Sequence, residues 1–155
     1  MLGFATAAVA QPRAIGLRGG FGAGVSYQHT VGANFIDAEL GFGQGLNVAA
    51  SYNWILAQPN WTSRGDWGVY AGPGASVGLN LGEVNNLTVG AAGMVGLEYS
   101  FWFPLQLSVD LRPVIGMHIN GGYTSSNGER YGARIGLYDN GLLGLSPTIS
   151  VRYRF

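Results

Sequence analysis

Apolar and polar positions alternate with period two along almost the whole chain. In AIGLRGGFGAGVSYQ, residues 14–28, one side carries Ile15, Leu17, Gly19, Phe21, Ala23, Val25 and Tyr27. The other side carries Gly16, Arg18, Gly20, Gly22, Gly24 and Ser26. Such alternation is the pattern of a β-strand with one oily face. Its length predicts a single first strand, well beyond the ~5–6 residues usual in soluble proteins.

The segment Asn34–Phe42 sets Ile36, Ala38, Leu40 and Phe42 against Phe35, Asp37, Glu39 and Gly41. The turn GQG at 43–45 then leads into Leu46, Val48, Ala50, Tyr52 and Trp54. Glycine turn chemistry between two alternating runs predicts a hairpin. The pattern returns at 67–77, at 87–101, and at 105–111 running on to about 119. The closing TISVRYRF places Ile149, Val151, Tyr153 and Phe155 opposite Ser150, Arg152 and Arg154. Turn residues cluster at 58–66, 80–86 and 120–130, which are the expected loops.

The polar rows are unsuited to water. In a soluble sandwich the apolar faces turn inward and charged residues cover the outside. Here the non-oily rows hold glycine, serine and sparse charges. Composition agrees: 47% of the 155 residues are hydrophobic, 27 are glycine and only 10% are charged, against about 25% charged in a soluble domain. Turning the oily rows toward lipid, and the small polar rows into a closed interior, removes the mismatch. Only closure satisfies every strand hydrogen bond in hydrocarbon, and the segments reach the ~9–11 residues of a tilted transmembrane strand. Aromatics near strand ends, among them Tyr27, Phe42, Tyr52, Trp54, Trp67, Tyr99, Phe101, Trp102, Phe103, Tyr153 and Phe155, suit interfacial girdles. The expected fold is therefore all-β, a transmembrane antiparallel up-and-down barrel of eight strands.

Six strands and the terminal one leave an eighth to be found. Residues 131–140, YGARIGLYDN, are either that strand or part of a long loop. If the first strand rises from the periplasm, the short turn at 102–104 falls outside and the long loop at 120–130 inside. Outer-membrane barrels show the reverse, so either a strand is hidden or the loop-length habit is broken.

Zero net charge gives no reason to expect a nucleic-acid partner. Without cysteine there is no disulfide, thiolate metal site or lipid-modified cysteine. No apolar run approaches the ~18 residues of a membrane-spanning helix. MLGFATAAVA closes on Ala8-Val9-Ala10, the pattern of a secretory cleavage site. Residues 1–10 are thus expected to be a partial leader, and 11–155 a single barrel domain. All eight basic residues are arginine, whose planar fork suits buried ion pairs.

AIGLRGGFGAGVSYQH, the pair GLEYSF…PLQLSVDLRP and the closing ISVRYRF together resemble small outer-membrane β-barrel proteins, particularly those of Bacteroidota. The general form is similar to OmpX- and OmpA-type eight-stranded barrels. The resemblance implies the outer membrane of a Gram-negative bacterium, contact with its lipid, and insertion by the barrel assembly machinery. It also implies that the terminal aromatics Tyr153 and Phe155 serve as the assembly signal. It identifies no activity.

An eight-stranded barrel is just wide enough for its side chains to fill. The inward charges would be Arg18, Asp37, Glu39, Glu98, Asp110, Arg112, Arg152 and Arg154, with Tyr70 among them. Buried charges persist when paired and hydrogen-bonded, so a plugging salt-bridge network is expected, with glycines making room. A narrow ion path is the competing reading. For catalysis, His118 lies near Ser125 and Ser126, and outer-membrane lipid hydrolases pair histidine with serine. A histidine at a strand end, as His29 and His118 are, is ordinarily interfacial. GPGASVG lacks the lysine of a phosphate loop, and NWT at Asn60 carries no meaning as a sequon in a bacterial outer membrane. No catalytic residue, metal or cofactor is expected. The expected function is a non-enzymatic outer-membrane barrel, structural or an accessory subunit of a larger complex. Its outward small residues Gly19, Ala23, Ala71, Ala75, Ala91 and Gly93 would offer smooth packing patches. A small pore or transporter and a lipid-modifying enzyme are the alternatives.

Overall fold

The computed structural model describes residues 13–20, 22–43, 45–80, 86–121, 123–124, 126–132, 134–139 and 147–155. The expected leader at 1–10 lies outside the described residues. In chain order the strands are β1 (Arg13–Gly19), β2 (Ala23–Val31), β3 (Asn34–Phe42), β4 (Leu46–Ala57), β5 (Asp66–Asn80) and β6 (Asn86–Ser100). There follow β7 (Leu105–Leu111), β8 (Val114–Asn120), β9 (Tyr123–Thr124), β10 (Arg130–Tyr131), β11 (Arg134–Asp139) and β12 (Thr148–Arg154).

From β1 to β6 each strand pairs antiparallel with the next. The far edge of β6 is shared, β8 taking its first half and β7 its second. These two are one strand interrupted at Arg112-Pro113. Proline has no N–H to donate to the ladder, but its carbonyl still accepts from the Gly93 N–H at 2.9 Å. The next strand is interrupted at the same level, β11 pairing with β8 and β12 with β7. β12 then pairs with β1 and closes the ring. The result is a closed eight-stranded antiparallel β-barrel.

The register fixes its shape. From Ile15 the cross-strand partners run through Tyr27, Ala38, Ala50, Ala75, Ala91 and Ile115. Carried round to β1, the path returns about ten residues further along, the stagger of strands tilted by roughly 40°. Both chain ends of the barrel lie at one rim, where the Arg13 and Phe155 backbones bond each other in both directions at 2.9 and 3.3 Å. This rim is called proximal below, and the opposite one distal.

The single long first strand is corrected: residues 13–31 form a hairpin, β1 and β2, with Gly19 opposite Ala23. Its connection at 20–22 has an odd length, so the odd residues point outward on both sides of the turn and the alternation survives unbroken. The next turn has two residues, with Gly32 at φ +64°, as the first central position of a type II′ turn requires. The hidden strand also removes the loop conflict. The loop at 121–133, which carries the short pair β9–β10, now lies at the distal rim, and the turn at 101–104 lies beside the chain ends. The β1–β2 hairpin supplies the eighth strand, and within the ambiguous 131–140 the segment β11 is the distal half of the terminal strand rather than a strand of its own.

The two faces differ in chemistry. Outward residues such as Leu17 and Ile115, each 71% exposed, form apolar rows round the wall. Inward residues such as Ser26, Asn53, Tyr70 and Arg152 have no exposed surface at all. A water-soluble protein distributes these types the other way round.

Candidate functional site: the barrel interior

Alternation alone aims the interior side chains, since every second residue of a strand points inward. The charges so placed meet in one layer across the lumen. On β12, Arg152 donates from Nε to Ser26 Oγ at 2.8 Å, from Nη1 to Ser108 Oγ at 2.7 Å and from Nη2 to Asp37 Oδ2 at 2.8 Å. Asp37 on β3 also accepts from Ser26 Oγ at 3.3 Å and Gln28 Nε2 at 3.4 Å. Both charges of this pair are therefore hydrogen-bonded several times over, the condition under which buried ions persist.

A second group centres on Glu39. Its Oε2 accepts from Arg18 Nε at 2.8 Å and from Arg112 Nη2 at 2.7 Å. Arg18 also donates through Nη2 to Asp110 Oδ1. β3 and the β7–β8 strand stand on opposite sides of the eight-stranded ring, so the Arg112–Glu39 pair spans the full width of the lumen. Tyr70 from β5 completes the layer, donating its hydroxyl to Asp110 Oδ2 at 3.2 Å. Its ring meets Phe35 edge-on at 5.0 Å, with Met94 in the same cluster. Gly96 is needed here, because a Cβ on it would sit 2.5 Å from the Tyr70 ring.

The layer separates two cavities. The distal one, about 500 Å³, has Arg18, Glu39 and Arg112 at its floor and Asn47, Asn80, Asn86, Thr88, His118 and Asn120 along its wall. The proximal one, about 270 Å³, is lined by Arg13, Gln28, Glu98, Gln106 and Arg154, among others. Asp37, Tyr70, Asp110 and Arg152 line neither, being enclosed between them.

Of the interior charges expected from sequence, the structure joins Arg18, Asp37, Glu39, Asp110, Arg112 and Arg152. It sets Glu98 and Arg154 apart, in the proximal cavity, where Glu98 accepts from Gln106 Nε2 at 2.9 Å. Neither takes part in an ion pair among the described residues. The hydroxyls of Ser26 and Ser108, which hold Arg152, were missed by the sequence reading; they stood in plain view on the polar rows. His118 lies in the lumen wall, its ring filling the space that a side chain on Gly136 would occupy. The side chain of Ser125 lies outside the described residues. Among the described residues no group of three His, Cys, Asp or Glu is placed to hold a metal ion.

Tyr153 and Phe155 stand on the outer face, 57% and 64% exposed. Near the same rim the aromatics form a chain of ring contacts, Trp61–Trp67 at 5.3 Å, Trp67–Tyr99 at 4.7 Å, Tyr99–Phe101 at 4.6 Å and Phe101–Phe103 at 4.8 Å. The Arg64 guanidinium lies 5.8 Å from the Trp102 ring. An all-β closed barrel with a charged, hydrogen-bonded interior and an apolar exterior is what the residues build; comparisons with known protein families, with curated proteins and with solved structures gave no match.

Proposed function

We propose that this chain is a structural barrel of a Gram-negative outer membrane, similar in form to OmpX- and OmpA-type proteins, with a lumen sealed against ions. The observation that carries the reading is the outward apolar surface running round a barrel whose polar strand residues turn inward, apart from a few near the proximal rim such as Arg13, His29 and Asn34. Such a surface is stable in contact with acyl chains, and a closed barrel leaves no strand edge unpaired in them. The aromatic chain near the proximal rim suits the headgroup region.

The charge layer supports a plug rather than a pore. Arg112 and Glu39 bridge opposite walls, and an ion crossing the layer would have to displace charge pairs that are hydrogen-bonded from both sides of the lumen. The barrel then serves the membrane as a structural element or as a subunit held against a larger complex. Planar-bilayer recording tests the sealing. The purified barrel is expected to add no conductance to the bare bilayer, and stable single-channel steps would favour the pore instead.

Tyr153 and Phe155 are proposed as the signal for the barrel assembly machinery. Phe155→Ala should leave refolding into detergent unchanged while lowering the amount inserted in cells several-fold. Equal insertion of the variant would remove that role.

A further inference from the structure

The distal cavity lies within the ~300–1,000 Å³ range of small-molecule sites, and its lining is unlike a passive vestibule. Asn80, Asn86 and Asn120 are cross-strand neighbours on β5, β6 and β8, forming a row of three amides at the mouth. The next inward row holds Asn47, Thr88 and His118. Across the ring, β2 and β3 present Gly24 and Gly41, which leave the space open.

Two polar atoms of this lining are buried without a partner. Arg18, only 7% exposed, has a third guanidinium nitrogen, Nη1, that donates to nothing, and Asn86 Oδ1 accepts from nothing. A buried polar group left unpaired costs about 1–3 kcal/mol. Both residues line the cavity through their other atoms, so a guest toward which these side chains turn, accepting at Arg18 and donating at Asn86, relieves that cost. An anion fits poorly, because the Glu39 carboxylate lines the same floor and already engages both arginines. A cation would face two guanidinium groups. Hydroxyl groups satisfy the set, since each donates and accepts, and amides such as these bind them in both senses.

We propose that the distal cavity binds a neutral, hydroxyl-rich saccharide unit, seated between Arg18 and the Asn80–Asn86–Asn120 row. The full chain, folded in an amine-oxide detergent that carries no sugar, is titrated with glucose, galactose and N-acetylglucosamine by calorimetry and by NMR. At least one sugar should bind one-to-one. Asn86→Leu, or Asn120→Leu should the first variant not fold, should weaken it about tenfold or more, in keeping with one lost hydrogen bond. Thr88→Trp, which fills the cavity, should abolish it. Folding of each variant is read independently from heat-modifiable migration on gels. The proposal is overturned if none of the three sugars binds, if inorganic phosphate binds in their place, or if folded asparagine variants bind as the unaltered protein does. Adding octyl glucoside beside free glucose identifies the source. Equal affinity points to a soluble sugar, and tighter binding of the alkyl glycoside points to a glycolipid headgroup.

Discussion

Arg152 has no exposed surface, and its three guanidinium nitrogens all find acceptors. Removing one member of such a pair leaves the other buried and uncompensated, at a cost of about 3–5 kcal/mol, whereas replacing both with apolar residues is often near neutral. Arg152→Met and Asp37→Leu should thus each lower the urea midpoint of the folded barrel strongly, and the double variant should lie closer to the unaltered protein than either single one. Simple additivity in that cycle would mean the two charges are not coupled. At this scale the sequence is half legible. Strand parity alone tells which residues point inward, and Arg18, Asp37, Glu39, Asp110, Arg112 and Arg152 all do. Partner choice is not readable in the same way. Arg112 reaches Glu39, 73 residues away, across a lumen whose tilt and stagger no local pattern records. The asparagine row escaped for a related reason: Asn80 and Asn86 look like loop residues until the strands are seen to extend to them.

At the scale of elements, the first hairpin shows how a correct pattern yields a wrong element. A three-residue turn preserves the parity of the flanking strands, so β1 and β2 read as one uninterrupted alternation. The two-residue turn after β2 flips the parity and is visible for that reason. What marked the hidden turn was its glycine density, with Gly19, Gly20, Gly22 and Gly24 close together. Glycine has a different task inside β1. A Cβ on Gly16 would overlap the Val151 carbonyl of β12 and come within 2.5 Å of Arg152 Cα, while a Cβ on Gly19 meets nothing within 4 Å. Gly16→Ala should hold the closing β1–β12 seam apart and cost about 1–3 kcal/mol or more, as overpacking does. Gly19→Ala should leave the urea midpoint where it is. Equal midpoints for the two variants would show that the seam tolerates a side chain at Gly16. Residues 131–140 were ambiguous because β11 is only the distal piece of a strand whose other piece is the terminal β12, neither long enough to span the wall alone.

For the molecule as a whole, the central claim is that its faces are inverted relative to a soluble protein. Low charge, abundant glycine and period-two rows made the apolar outer face and the polar inner one legible from sequence, because each suits a closed barrel with a narrow polar interior. The task of the barrel was far less legible, since alternation tells which side chains enter the lumen and not what they do there. The absence of native cysteine allows single spin labels to be placed at will. Labels at the outward positions Leu17, Val48, Val89 and Val109, and at the inward positions Ala49 and Met94, in the barrel folded into lipid bilayers, test the inversion by collision with dissolved oxygen and with a water-soluble nickel chelate. The outward labels should relax with oxygen, which concentrates in the acyl chains, and be shielded from nickel, while the inward labels should meet neither freely. Outward labels as open to nickel as those on a water-soluble protein would contradict the account.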